Sequence, residues 1–325
     1  MVKELLLLVF VNLVLGKNDL GYNENTAKKL LVLSAGAYSK DPAVCLQSHF
    51  DVVEMVDEVT VDCGRIFDHD CFGYVALLHK KKALAIGFRG STSAIQLLTQ
   101  ATSALGHKVP FLEDMGKINR YFHHAYKLLW ERMEDKITDS IKKYPDYKVW
   151  ISGHSLGGAL ASLVSATLVR NEIVKLEQTE NYSFGQPRVG EIVFASRFKE
   201  VIPNYFRIAH AKDIVTYLFP RKFGYRHFPN EVWYPSDMTS NTTYSICKDF
   251  TDPECHDESN RDNVEDHRMY FGVHVGRYGK AGCPLLNLNT TDEVELSVAP
   301  TSIGKRIENS ILAVIATFVS WLFME

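Results

Sequence analysis

The residues best able to do chemistry lie in "VWISGHSLGGALASLV", residues 149–164. Gly153 to Gly157 fit G-x-S-x-G, with β-formers before them and a small-residue helical pattern after them. In that setting Ser155 is expected on a strained strand-to-helix turn that lifts its hydroxyl clear of a sheet. Gly153 and Gly157 leave room for neighbouring backbone. The N–H of Leu156 opens the next helix, beside any oxyanion formed at Ser155. The bland reading of the same stretch is a glycine-rich connection with no chemistry. A serine hydroxyl is a poor nucleophile, so attack on an ester carbonyl needs a histidine base and a carboxylate that orients it.

On such a sheet the order along the chain is serine, acid, histidine. That order leaves His227, His256, His267 and His274 as bases. Asp213 is the best acid, because it ends the strand-like run "FRIAHAKD", and such sheets hold their sites in loops after parallel strands. His227 lies within a strand pattern, and His256 abuts Cys255. His267, in "NVEDHRMYFG", sits in a polar loop before an aromatic run, a place that suits the base. Other histidines read more plainly: His123 and His124 support the site or pack, and His154 is a structural neighbour of the serine.

The elements that must position these residues alternate. "GYVALLHKKKALAIGF" reads as two strands joined by a lysine turn, and "NRYFHHAYKLLWERMEDKITDSIKK" carries apolar residues at helical spacing. A short strand "VWI", a helix from residue 155, and strand-to-loop units in "YSFGQPRVG", "NYFRIAHAKDIV" and "HFPNEVWYP" follow. Strands alternating with helices predict an α/β fold with a mostly parallel central sheet flanked by helices. No linker composition divides residues 20–300, so 17–300 reads as one domain.

The chain has 325 residues, 46% apolar and 23% charged, with a net charge of −3. That balance suits a globular protein and offers no basic surface for nucleic acid. "MVKELLLLVFVNLVLG" reads as a signal peptide over residues 1–16. Six cysteines follow it. In an oxidising compartment they can pair as Cys45–Cys283, Cys63–Cys71 and Cys247–Cys255, one of the pairings that six cysteines allow. The absence of C-x-x-C argues against zinc. No other metal and no cofactor is called for. Glycosylation sequons stand at Asn241, Asn289 and, in a strand-like run, Asn181. Residues 301–325 form an apolar tail with two readings: a glycolipid-anchor signal that attaches the protein to a membrane, or a terminal helix.

Several separated motifs, "FRGSTS" at 88–93, "GHSLGGALASL", "FGQPRVG" at 184–190, "RIAHAKDIVTYLF", "HFPNEVWYP" and "DHRMYFG", occur in the order of one family. Residues 30–283 resemble the class 3 (fungal-type) triacylglycerol lipases, a branch of the α/β-hydrolases. The resemblance implies Ser155 as nucleophile, Asp213 as orienting acid, His267 as general base, and Ser91 with Leu156 as the oxyanion hole. It implies a lipase that works on lipid esters at a lipid–water interface, with no cofactor, and a lid over residues 92–109; the leader and the paired cysteines add that it is secreted. Two departures stand out. "HHAYK" replaces the family's histidine-glycine-phenylalanine run, and "LFPRKFG" has one proline, Pro220, where the family tends to two. Two rivals remain: a phospholipase, lysophospholipase or feruloyl-type esterase on the same scaffold, and a catalytically silent lipid-binding protein.

Overall fold

The computed structural model describes residues 21–64, 70–91, 107–239, 242–248 and 262–285. Its helices are α1 (Glu24–Gly36), α2 (Pro42–Gln47), α3 (Arg120–Lys143), α4 (Leu156–Arg170), α5 (Ile192–Val201), α6 (Val264–Arg268) and α7 (Val275–Lys280). The large sheet holds β1 (Val53–Asp62), β2 (Asp70–Leu78), β3 (Ala83–Phe88), β6 (Lys148–His154), β7 (Thr179–Phe184), β9 (Tyr205–His210), β11 (Glu231–Tyr234) and β12 (Ser245–Cys247), in that spatial order. Between them along the chain fall the short strands β4 (Lys108–Pro110), β5 (Lys117–Asn119), β8 (Gly190–Glu191) and β10 (Tyr225–Arg226), which form a smaller sheet. β13 (Met269–Tyr270) and β14 (Val273–His274) make a hairpin.

The middle of the large sheet is parallel: β3 pairs with β6, β6 with β7, β7 with β9 and β9 with β11. β1, β2 and β12 join antiparallel at the edges. A parallel sheet needs both faces covered. α3 and α4 bury one face, and α1 and α7 contribute to a second core on the other. α3 is amphipathic, burying Phe122, Tyr126, Leu129, Trp130, Met133 and Ile137 at helical spacing. Asn119 starts it by accepting the N–H of Tyr121. α4 is buried over nearly its whole length, because its alanines, serines and glycines let it lie close to the strands.

Disulfides join Cys45 to Cys283 and Cys63 to Cys71. Cys247 is also disulfide-bonded, and Cys255 lies outside the described residues. Residues 1–16, 301–325, Asn241, Asn289, His256 and most of the segment 92–109 also lie outside them. Asn181 requires a correction: it carries no exposed sequon. It sits on the central strand β7 with no exposed surface, its amide donating to Thr179 Oγ1 and its oxygen accepting from Ser165. A glycan has no room there. His227 also differs from its strand reading. The strand starts later, at Glu231, and the His227 Nε2 instead meets the carbonyl of Thr216 at 2.6 Å.

Candidate active site

Ser155 stands between the end of β6 and the first residue of α4, at φ 60° and ψ −127°. That backbone region is costly for a residue with a side chain and persists only where the surroundings impose it. The surroundings are visible. The Ser155 N–H donates to the carbonyl of Phe184 at 2.8 Å, tying the elbow to the end of β7. On the other side α4 presses on β3: a Cβ on Gly157 would lie 2.2 Å from the Phe88 oxygen. Only glycine permits that approach, which draws the strand end carrying Ser91 against the elbow. Leu156 is the first helical residue, so its N–H belongs to a first turn whose amides have no partner inside the helix.

Asp213 follows β9, and a second loop is stitched to it. The backbone of Asp213 bridges Asn263 in parallel, with Asn263 N–H donating to Lys212 O and Ile214 N–H donating to Asn263 O. Asn263 then caps α6, accepting from the N–H groups of Glu265 and Asp266. Asp266 returns the contact by accepting the Lys212 N–H at 2.8 Å. α6 is thereby fixed above the end of β9 and delivers His267 to Asp213.

The His267 Nδ1 lies 3.0 Å from Asp213 Oδ2. A carboxylate accepts, so Nδ1 carries the hydrogen and Nε2 presents the lone pair. The same Oδ2 accepts the hydroxyl of Tyr270 at 3.0 Å, and Oδ1 accepts the N–H of Val215 at 2.8 Å. Asp213 has no exposed surface and His267 is 3% exposed. Burial pushes the Asp213 carboxyl up, but the charge and hydrogen bond of His267, with the donors Val215 and Tyr270, outweigh it and hold the group below the usual carboxylate range. Burial and the neighbouring Asp213 push the Tyr270 phenol well up, so it stays a donor.

His154 links Ser155 to His267. It precedes Ser155 directly, its ring stacks on His267 with centroids 4.6 Å apart, and its Nε2 meets the His267 carbonyl at 2.7 Å. Burial, then the charge of His267, pushes it down to about 3, so it is neutral.

The structure thus sets His267 on Asp213 and, through His154, against the elbow that carries Ser155 and Leu156, with Ser91 following Gly90 on the strand end that packs on Ser155. It does not bring His227 to Asp213. His274 caps α7, its Nδ1 accepting the Arg277 N–H. His123 and His124 occupy the first two turns of α3. In "HHAYK", Ala125 and Tyr126 are buried, and the Tyr126 hydroxyl contacts Thr167 Oγ1, so this departure is absorbed by packing between α3 and α4. Sequence reasoning missed Tyr270, although its place three residues after His267 was a signal. It also missed the bridging role of His154, which no local pattern marks.

A buried carboxylate–imidazole pair beside a serine on a strained elbow can activate a hydroxyl for acyl transfer. The comparisons with known proteins agree with that chemistry. A family model described as "Lipase (class 3)" matches residues 85–223. A lipase of Caenorhabditis elegans is 32% identical over 317 residues, covering 86% of this chain and 88% of its own. The lipase of Rhizomucor miehei is 32% identical over 233 residues, covering 70% of this chain and 62% of its own. The structure of a triacylglycerol lipase whose catalytic centre is described as a serine protease triad superposes with a TM-score of 0.66 at 28% identity, over 78% of this chain and 95% of the other.

Proposed function

The chain belongs to the class 3 lipases, ester hydrolases of triacylglycerol-lipase type, and we propose that it cleaves acylglycerol esters through Ser155, His267 and Asp213. The observation that carries this reading is the 3.0 Å contact of the buried Asp213 with His267, stacked against the residue that precedes Ser155.

In the proposed reaction His267 Nε2 takes the proton of Ser155 as Oγ attacks the ester carbonyl carbon. Asp213 keeps the hydrogen on Nδ1 and stabilises the imidazolium. Tyr270 and the Val215 N–H hold Asp213 ionised and oriented. The oxyanion receives the N–H of Leu156 and the N–H and hydroxyl of Ser91. Removing one such donor costs about 10²–10³ in rate in comparable sites. His267 then protonates the departing alcohol. Water, deprotonated by His267, hydrolyses the acyl-enzyme and restores Ser155. Secretion is part of the proposal. It rests on the apolar run at residues 1–16 read as a leader and on disulfides that persist in oxidising compartments.

Emulsified triolein, diolein, phosphatidylcholine, lysophosphatidylcholine and a feruloyl ester, offered to the purified protein and to Ser155→Ala, test the reading. Fastest turnover of the acylglycerols by the parent, with none by Ser155→Ala, is the expected result. A clear preference for phospholipid or feruloyl ester moves the substrate to that rival. Hydrolysis of none of them favours the lipid-binding rival.

A further inference from the structure

Tyr38 has no place in the proposed catalytic steps, yet it touches both halves of the site. It follows α1 closely, and its hydroxyl lies 2.7 Å from His154 Nδ1. The backbone of Gly90, the residue before Ser91, packs against the same oxygen. Gly90 is wedged there: a Cβ on it would stand 2.3 Å from the Tyr38 oxygen and 2.8 Å from Ser155 Cβ. His154 extends the contact to the base through the carbonyl of His267, 2.7 Å from its Nε2.

The hydrogen positions follow from what each group can do. A carbonyl oxygen only accepts, so the His154 Nε2 carries the hydrogen and donates. Nδ1 of the neutral ring is then the acceptor, and the Tyr38 hydroxyl must donate to it. One directed chain therefore runs from the Tyr38 hydroxyl through His154 to the His267 carbonyl, and such chains polarise in one sense. Burial keeps both members neutral, holding the phenol up and the imidazole down, so the direction does not reverse near neutral pH.

We propose that Tyr38 is a positioning residue that couples the strand end carrying Ser91 to the turn carrying His267, so that oxyanion donors and base keep one registry around Ser155. Ser91 and His267 lie 176 residues apart in sequence, and Tyr38 with His154 spans the gap between them. This inference rests on the roles proposed above for Ser91, Ser155 and His267.

Tyr38→Phe in the full chain removes the hydroxyl and keeps the ring. With a soluble p-nitrophenyl butyrate substrate, kcat is expected to fall on the order of ten- to a hundredfold with KM and melting temperature little changed, because misplacement taxes the transition state rather than binding. In a Ser91→Ala background the same substitution is expected to cost under about threefold, since there is less left to place. His154→Gln keeps an amide donor for the His267 carbonyl and removes the acceptor facing Tyr38. It should lower kcat in the same way, and the double variant should be no worse than the poorer single one. If Tyr38→Phe does not fold, His154→Gln decides by the same criteria. Parental kcat in the decisive variant overturns the proposal, as does a loss that multiplies in full with Ser91→Ala or follows KM or melting temperature instead. The underlying reading fails separately, if Ser155→Ala still turns over or Ser91→Ala costs nothing.

Discussion

Gly157→Ala should damage catalysis far more than stability. A Cβ at position 157 would meet the Phe88 oxygen at 2.2 Å, the Phe88 carbonyl carbon at 2.7 Å and the Arg89 carbonyl carbon at 2.9 Å. Ordinary contact begins near 3.4 Å, so the end of β3 must retreat from the elbow by about 1 Å. Overpacking of that size costs about 1–3 kcal/mol. The gain of alanine over glycine inside a helix returns about 1 kcal/mol. The net loss is about 0–2 kcal/mol, or up to about 8 °C in melting temperature for a domain of this size. The retreat, however, opens the gap between Ser155 and the strand end carrying Ser91. A misplacement of about 1 Å costs about 10² in rate. Gly158→Ala is the internal control: its nearest contacts, 3.0 Å to Ser183 Cβ and 3.1 Å to Gln186 Cβ, face β7 rather than β3. Its stability and kcat should stay near the parent. Thermal melts and turnover of a soluble ester for the two variants are the assay. Equal activities for Gly157→Ala and Gly158→Ala would refute the idea that the approach of β3 to α4 sets the oxyanion geometry.

Asp213→Asn should lower kcat about 10⁴-fold without unfolding, because an amide favours the wrong imidazole tautomer. A loss under about tenfold would reassign the acid. His154 is held at about 3 against an ordinary 6.5, so its contribution to stability is complete above pH 6.5 and is lost as pH falls towards 3, on the order of 3 kcal/mol by pH 4. The His154→Gln variant should therefore lose less stability than the parent between pH 7 and pH 4 in denaturant titrations, and an equal loss contradicts the assignment. Replacing Cys45 and Cys283 by serine opens a cross-link between residues 238 apart and should cost about 2–5 kcal/mol. An unchanged melting temperature would show that the link restrains nothing in the unfolded chain. Glycopeptide mapping of the protein from a secreting host should find Asn181 unmodified, and a glycan there would contradict its burial on β7.

The elbow was legible because its requirements are local: a strand, a serine boxed by glycines, and a helix follow one another within a few residues. Asp213 was legible for a similar reason, as the end of a strand. The choice among four histidines was not local. It depends on Asn263 pairing with the Asp213 turn, a contact across about fifty residues that no periodicity announces. α1 escaped notice because the second half of the helix is buried all round and shows no polar face. β1 escaped because it is largely exposed and interrupted between Met55 and Asp57, as an edge strand can be. The sequon at Asn181 misled because three residues cannot reveal that their strand lies in the middle of a sheet. The contacts that link Gly90, Tyr38, His154 and His267 unite four distant segments and become visible only in three dimensions.

The central claim is that Ser155 is the nucleophile, driven by His267. Mass spectrometry of the protein after reaction with a fluorophosphonate measures it directly. The account predicts a single adduct on the peptide bearing Ser155, no adduct in Ser155→Ala, and labelling slowed by orders of magnitude in His267→Ala. A folded parent that stays unlabelled, or an adduct on a different residue, would contradict it.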